Sequence, residues 1–561
     1  MKKIILFLCV LCGNLFAELP SKYHSYNDLS KFLKQLSSQY SSHIKVTSIA
    51  KTLKGNDVWI VTIGKGETEN RKAILVVGGI EAPQLVGSDH ALRFIEQLAQ
   101  SYGKTDSITK LLDNTTIYVI PRANPDASES FFAKPLIERE INYNPYDDDR
   151  DAAVDEDDVD DVNKDGIISW MRIKDSRGEW IVNPDDTRLM KKADAGKGEK
   201  GIYRLLSEGI DNDKDEEWNE DGVGGTDFNR NFTFNYQFFG KNSGMHQISE
   251  VETKAIADFV FNHSNIALIF SFSSNDNLNS AWKNEPSKGD SPVISSVTKE
   301  DEDYFGLISK KFGEITKLKD APKAVKGEGA FAEWAYYHSG RWSFSVRPWW
   351  AGEIPKSKDT SVVKDSTKKS SDMKKDDKEK SDDPNVKILK WYDTIGAKDV
   401  TVPWTKFNHP DFQNQEVEIG GVIPFVLSNP PADSLNNYSK PFSNFITYLA
   451  GQLANISLSN KKVEKIADNV FRISVDVVNN GYLPTNNGMG IKTRWVRNVR
   501  VMMDAGKGNS ISSGKTKQIL EPIKGSGGFK TVSWTVVGKG SITINAESPV
   551  AGKAELKIEL K

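Results

Sequence analysis

The sequence predicts an α/β protein in which helices flank a mixed sheet, followed by a C-terminal β-sandwich. Short apolar runs of strand type alternate with segments of helical period, and the run 73–77 ends at two glycines, which supports the first part. Short alternating strands after about residue 453 support the second. The chain has 561 residues and a net charge of −3, so it is long enough for several domains and lacks the basic excess of nucleic-acid binders.

The elements of the α/β part follow from hydrophobic periodicity. Helical spacing occurs at 27–39, 84–102, 250–262 and 304–312. Strand-like runs occur at 43–50, 58–63, 73–77, 116–120 and 266–272. In the last part of the chain, the alternation at 471–477 and the turn clusters 479–481 and 525–528 are typical of a sandwich.

The N-terminus has the pattern of a secretory signal. Lys2 and Lys3 precede a short apolar run at 4–12, and Ala17 is a small residue before the expected cleavage site. The run is shorter than the roughly 20 residues that span a bilayer. Both cysteines lie within it. We therefore expect a secreted, periplasmic or cell-surface protein without a membrane span or a disulfide; its oligomeric state is left open.

These patterns divide the chain into a signal peptide at 1–17, an α/β domain at 18–452 and a β-sandwich domain at 453–561. The α/β domain carries two inserts. One, at 145–222, is acidic, and the other, at 356–386, consists almost entirely of Lys, Asp, Ser and Thr through residue 383. Such a composition cannot bury enough apolar surface to offset the entropy of ordering, so the second insert is expected to be disordered.

The acidic insert contains three runs with the spacing of calcium loops, in which alternate side-chain oxygens converge on one hard cation. The candidate ligands are Asp147, Asp149, Asp151, Asp155 and Asp158 in the first run, Asp161, Asn163 and Asp165 in the second, and Asp211, Asp213 and Asp215 in the third. The second run has Arg172 where a closing carboxylate is expected, and the third lacks the turn glycine. A structural calcium role is predicted, with a solvated acidic face as the alternative.

Four segments occur in one order along the chain: Gly78–Gly87, Pro121–Asp126, Asp227–Phe232 and Glu333–Tyr336. Their joint order resembles the zinc metallocarboxypeptidase family, over about residues 20–450. The acidic inserts and the segment 409–431 look like a secreted bacterial branch of it. The resemblance implies a carboxypeptidase-like fold, zinc as cofactor and peptide substrates.

The positions that the resemblance assigns to the zinc ligands hold other residue types. The family has His-x-x-Glu after the strand that here ends at Gly78, and a further His at the end of a later strand. Here the first two positions are Glu81 and Gln84, the third is Phe270 or Ser271, and all seven histidines lie elsewhere. These side chains are poor zinc ligands compared with two imidazoles and a carboxylate.

The position of the family's catalytic glutamate is occupied by Arg347, and that of a substrate-contacting tyrosine by Val325. An arginine stays protonated and cannot act as a general base. By the same resemblance, Asn229 and Arg230 hold the substrate's terminal carboxylate; a structural role for Arg230 is the alternative. Glu81 and Arg347 are further expected to form an ion pair across the former zinc site.

The sequence therefore predicts an exported carboxypeptidase-like protein that lacks hydrolytic activity and has no catalytic residue. It would bind the C-termini of peptides or of cell-wall stem peptides from peptidoglycan. Two alternatives stay open: an active metallocarboxypeptidase with atypical ligands, and a calcium-stabilised surface adhesion or assembly protein.

Overall fold

The computed structural model describes residues 19–147, 152–285, 294–352 and 383–561. The predicted signal peptide and most of the second insert lie outside the described residues. The α-helices of the described part are α1 Tyr26–Gln39, α2 Leu85–Ser101, α3 Asp106–Asn114, α4 Pro125–Ser128, α5 Val251–Asn262, α6 Lys299–Thr316, α7 Phe331–Tyr337, α8 Pro384–Thr394, α9 Leu435–Ala450 and α10 Gly488–Thr493. In that same part, no helix has both the length and the apolar character needed to cross a membrane.

Within the described ranges, the strands form four sheets. Those before residue 453 are β1 Ile44–Lys51, β2 Asp57–Ile63, β3 Ala73–Val77, β4 Thr116–Ile120, β5 Trp170–Lys174, β6 Trp180–Val182, β7 Met190–Lys192, β8 Tyr203–Ser207, β9 Ile266–Phe272, β10 Trp342–Val346, β11 Thr401–Phe407 and β12 Val417–Val422. Those after it are β13 Ile456–Ala467, β14 Val470–Asn479, β15 Arg500–Asp504, β16 Ser510–Ser513, β17 Lys517–Ile519, β18 Gly528–Val537, β19 Gly540–Ser548 and β20 Gly552–Leu560.

The central sheet has the order β1-β2-β4-β3-β9-β10 and is mixed. β3 pairs in parallel with β4 and β9, and β10 pairs in parallel with β9, whereas β1, β2 and β4 are joined antiparallel. Helices α1, α2, α6 and α9 bury apolar side chains against one face, and α5 and part of α7 against the other. This is the α/β arrangement that the sequence predicts, with a mixed sheet flanked by helices.

A second, antiparallel sheet was not predicted. Its order is β11-β12-β5-β8-β6-β7, so strands from the acidic insert pair with strands more than 200 residues later. Met171 and Ile173 pack there against Phe412 and Val417.

The C-terminal sheets have the orders β13-β14-β18-β16 and β17-β15-β19-β20. Their inner side chains, including Ile473, Trp534, Val501 and Ile544, share one core, which is the layered arrangement of a β-sandwich.

The prediction of disorder to residue 386 is wrong at its end. α8 begins at Pro384, inside the expected insert. The Asp383 carboxylate accepts the Asn385 N–H at 2.9 Å, and a proline suits the first helical position, so this local sequence starts a helix.

Candidate functional site

The candidate site lies where parallel strands β3, β9 and β10 end at one edge of the central sheet. The turn after β3 requires glycine, because a Cβ on Gly78 would lie 2.5 Å from the Gly87 carbonyl oxygen. This turn leads to Glu81 and Gln84, just before α2, while Ser273 follows β9 and Arg347 follows β10. The carboxyl ends of parallel strands are a usual place for ligand sites in such folds.

The Glu81 carboxylate is held by hydrogen bonds from neighbouring loops. Its Oε1 accepts from Ser273 Oγ at 2.7 Å, from the Ser274 backbone N–H at 2.9 Å and from Asn229 Nδ2 at 3.1 Å. Gln84 Nε2 donates to Ser274 Oγ at 2.7 Å. We call these five residues the Glu81 cluster.

The structure places Ser273 and Ser274 beside Glu81. The sequence had indicated Phe270 or Ser271 for this position instead. Phe270 is fully buried in the core of the sheet and packs against Phe272, with ring centroids 5.1 Å apart. Ser271 is also fully buried, and its hydroxyl has no hydrogen-bond partner in the described structure. The difference arises because β9 continues to Phe272, so the residues that reach the site come after the strand.

Arg347 lies at the same edge but does not form the expected ion pair. In the described part of the chain no bridge within 4 Å joins it to Glu81, whose Oε1 is occupied by the cluster. The Arg347 backbone N–H donates to Asp276 Oδ2 at 3.3 Å. Burial lowers the pKa of Arg347, and the charges of Glu81 and Asp276 oppose this shift.

The electrostatics of Glu81 mirror those of Arg347. Burial raises the pKa of Glu81, whereas the hydrogen bonds from Ser273 and Ser274 and the charge of Arg347 lower it. Glu81 Oε2 and Arg347 Nε are both buried without a hydrogen-bond partner in the described structure. The two charges therefore compensate each other at a distance, without contact.

Asn229 is fully engaged inside the protein. Its Nδ2 donates to Asn275 Oδ1 at 2.7 Å as well as to Ser273 and Glu81, and its Oδ1 accepts the Phe331 N–H at 3.0 Å. It therefore positions the Glu81 cluster and has no spare N–H for a ligand.

Arg230 is the more accessible of the predicted pair. Its Nη2 lies 2.9 Å from Glu328 Oε2, and the two side chains are 32% and 40% exposed. The local chain sets the position of Arg230, because this residue ends a short 3₁₀ helix, Phe228–Arg230, that the Asp227 side chain caps. Burial raises the pKa of Asp227 to about 7.

A cavity of about 730 Å³ adjoins this region, and the sequence did not indicate it. Phe234, Trp282 and Tyr337 line it together with Lys326, Gly327 and Glu333. Glu333 Oε1 accepts the Gly327 N–H at 3.3 Å, while Oε2 is buried without a partner in the described structure. Burial raises the pKa of Glu333 to about 7. Val325, at the predicted tyrosine position, is 53% exposed.

The side chains of the Glu81 cluster do not fit a zinc site. Catalytic zinc takes three protein ligands, mainly imidazole nitrogens and carboxylates. Here Glu81 Oε1 already accepts hydrogen bonds from Ser273 and Ser274, and the amide of Gln84 donates its N–H to Ser274 Oγ. The described part of the chain includes all seven histidines, and none of them hydrogen-bonds with Glu81 or Gln84.

Of the predicted calcium residues, one set is brought together. Asp211, Asp213 and Asp215 place carboxylate oxygens within 4.8 Å of one another, the one such group among the described residues. In the second run, Asp161 and Asn163 accept N–H groups of their own loop. In that loop the Asp165 carboxylate likewise accepts the Ile167 N–H at 2.9 Å.

The first predicted calcium run is only partly described. Asp149 and Asp151 lie outside the described residues. The Asp147 carboxylate accepts the Ala152 N–H at 3.2 Å, and the Asp155 carboxylate accepts the Gly224 N–H at 2.9 Å. Asp158 Oδ2 lies 3.7 Å from Arg139 Nη2.

Comparisons with known proteins give two family matches. The model of the zinc carboxypeptidase family matches residues 29–151 and 181–368, together more than half of the chain. A model of a domain of unknown function matches residues 455–559.

Among curated proteins, mouse (Mus musculus) carboxypeptidase M is 34% identical over 137 residues, covering 23% of this chain and 31% of that protein. Rat (Rattus norvegicus) mast cell carboxypeptidase A is 36% identical over 107 residues, covering 18% and 26%. These alignments span less than a third of each relative's length.

Among solved structures, thrombin activatable fibrinolysis inhibitor matches with a TM-score of 0.39 and 17% identity, over 58% of this chain and 66% of that chain. A metallo-carboxypeptidase from Burkholderia cenocepacia matches with a TM-score of 0.32 and 12% identity, over 58% and 60%. Because the zinc carboxypeptidase model covers more than half of the sequence, the chain belongs to the zinc carboxypeptidase family.

Proposed function

We propose that this member of the zinc carboxypeptidase family is an exported protein that binds peptide C-termini and does not hydrolyse them. The observation that carries the proposal is the Glu81 cluster, in which Glu81 and Gln84, at the first two positions that the resemblance gives to the zinc ligands, form hydrogen bonds with Ser273 and Ser274. With Arg347 at the position of the base, the site has neither a set of zinc ligands to activate a water nor a carboxylate where the resemblance places the general base. The proposed ligands include the stem peptides of peptidoglycan, because these also end in a free carboxylate.

Arg230 is the group that would take the terminal carboxylate. Its present partner, Glu328, is 40% exposed, and an exposed ion pair is worth only about 0–1 kcal/mol, so a ligand carboxylate can replace it. Gly327, next to Glu328 in the chain, lines the cavity described above, so the side chain of the ligand's last residue would enter a space bounded by Phe234, Trp282 and Tyr337.

The direct test is calorimetry with two tetrapeptides that end in phenylalanine, one as free acid and one as amide. A charge-assisted hydrogen bond contributes about 1.5–3 kcal/mol, so the free acid should bind roughly 10- to 100-fold more tightly. Arg230→Ala should remove this preference, and Glu328→Gln should increase affinity for the acid because it frees the guanidinium. Arg177→Ala, which removes an exposed arginine paired with Asp175, is the matched control.

Equal affinity for acid and amide would refute carboxylate capture. The enzymatic alternative has its own readout: hydrolysis of the free acid that a chelator abolishes and zinc restores would establish an active metallocarboxypeptidase and refute the proposal.

For the acidic insert we propose a structural calcium ion. The convergence of Asp211, Asp213 and Asp215 supports it, since three carboxylates so close repel one another unless a cation neutralises them. This aspartate cluster is also the observation that favours the second candidate function, a calcium-stabilised surface adhesion or assembly protein.

A further inference from the structure

A second concave surface lies far from the Glu81 cluster in the fold, between the α/β part and the C-terminal sandwich. It has a volume of about 740 Å³, and we call it the junction groove. Its floor is one row of side chains across four strands, because Ile519 pairs with Arg500, Arg500 with Glu547, and Glu547 with Lys553.

The walls of the junction groove come from different parts of the chain. One wall is the end of α10 and the segment after it, with Ile491, Arg494 and Arg497. The other is Glu69 and Asn70 of the α/β part. The groove therefore exists only where the two parts meet.

The junction groove carries an excess of positive charge. Five cationic side chains line it, against the two carboxylates of Glu69 and Glu547. Arg500 is paired with Glu547. The other four cations, which are Arg494, Arg497, Lys517 and Lys553, have no ion pair with a carboxylate among the described residues. Four unpaired cations around one concavity attract an anionic ligand.

Apolar surface in the groove identifies the class of anion. Ile519 is 68% exposed and Ile491 50% exposed, and Pro522 and Pro549 also line the groove. No aromatic side chain is among its lining residues in the described structure. Single-stranded nucleic acids are usually bound on aromatic stacking surfaces, and neither nucleic-acid duplexes nor sulfated glycans offer aliphatic side chains to bury on isoleucine. A peptide with carboxylates and aliphatic side chains satisfies both features.

We propose that the junction groove binds an extended acidic peptide segment of a partner protein, with glutamates or aspartates on the arginines and leucine-like side chains on Ile491 and Ile519. Four strands at a spacing of about 4.8 Å make the floor roughly 14 Å wide, which corresponds to about four or five extended residues. The recognised motif is therefore short.

The test is fluorescence anisotropy on the full chain with a labelled Gly-Glu-Leu-Glu-Glu-Leu-Gly peptide. Its ends are acetylated and amidated, so it offers no terminal carboxylate to Arg230, and the Arg494/Arg497 variant assigns the binding that remains to the junction groove. We expect binding that weakens with salt and falls at least tenfold in the double variant Arg494→Glu/Arg497→Glu. Lys461→Glu/Lys462→Glu, which makes the same charge change on exposed residues of β13, should bind like the unchanged protein.

A second arm separates a peptide site from a general polyanion site. Ile519→Ser should weaken the peptide about threefold and leave a sulfated polysaccharide unaffected. Absence of peptide binding, an equal loss in both double variants, or tighter binding of the polysaccharide or of an oligonucleotide would each overturn the proposal.

Discussion

Replacing Glu333 by glutamine should make the protein's stability less dependent on pH. One oxygen of this carboxyl group accepts the Gly327 N–H, and the other is buried without a partner in the described structure. Burial raises the pKa of Glu333 from 4.5 to about 7, so the folded protein holds a proton here that the unfolded chain has released above pH 4.5. The resulting stability is complete below about pH 4.5 and is lost as pH rises through 7.

The size of the effect follows from the same shift. One pKa unit corresponds to about 1.4 kcal/mol, so ionising Glu333 in the folded protein costs up to about 3 kcal/mol between pH 4.5 and 8. Glutamine keeps the carbonyl acceptor for Gly327 and does not ionise. The glutamine variant should therefore be similar to the unchanged protein at pH 5 and more stable than it at pH 8.

The assay is urea unfolding at a series of pH values, with the midpoint compared between the two proteins. Other buried carboxyl groups, such as Asp227, titrate in the same range, so only the difference between variant and parent reports on Glu333. Glu314→Gln is the control, because that exposed carboxylate pairs with Lys311. Parallel midpoint curves for the parent and the Glu333→Gln variant from pH 5 to 8 would refute the assigned pKa and its cause.

Three further results are expected. Chelation should lower the melting temperature of the parent but not of Asp213→Asn, since an ion bound only to the folded state stabilises it; identical melting with and without chelator would show an acidic loop that binds no ion. Gly78→Ala should cost about 2–4 kcal/mol, because its Cβ would lie 2.5 Å and 2.9 Å from the backbone oxygens of Gly87 and Pro121; a melting temperature close to that of the parent would contradict this. Gln84→Glu alone should bind no zinc in metal analysis, because two further nitrogen ligands are absent; stoichiometric zinc would contradict it.

The sequence was informative where local pattern decides structure. The apolar run before Gly78 predicted β3 with its observed bounds, Ala73–Val77. The second sheet could not be predicted in this way, because β6 and β7 have three residues each and their sheet is completed by β11 and β12, far along the chain. Periodicity reports which residues a strand buries and not which distant strand it joins.

The candidate site shows the same division. The resemblance singled out Glu81 and Arg347, and the structure places both at the carboxyl edge of the central sheet. Only Glu81 comes shortly after a strand that periodicity predicted, because β10 before Arg347 was not predicted. The bounds of β9 were predicted correctly as 266–272, so the end of the strand was not the difficulty. The resemblance placed the third ligand position inside the strand, at Phe270 or Ser271, whereas Ser273 reaches Glu81 from the loop that follows it. The pairing of Arg230 with Glu328 is a tertiary contact between loops, which no local pattern records.

The substitutions at Glu81 and Arg347 depend on each other electrostatically. A guanidinium remains charged at any ordinary pH, so Arg347 supplies a fixed positive charge to an edge of the sheet that holds the carboxylates of Glu81 and Asp276. With Arg347 present, a divalent cation at Glu81 would meet like charge; without it, two buried carboxylates would lack compensation. Reversal to a metal site therefore requires a change at Arg347 together with the ligand changes, and each change made alone places an uncompensated charge in the site.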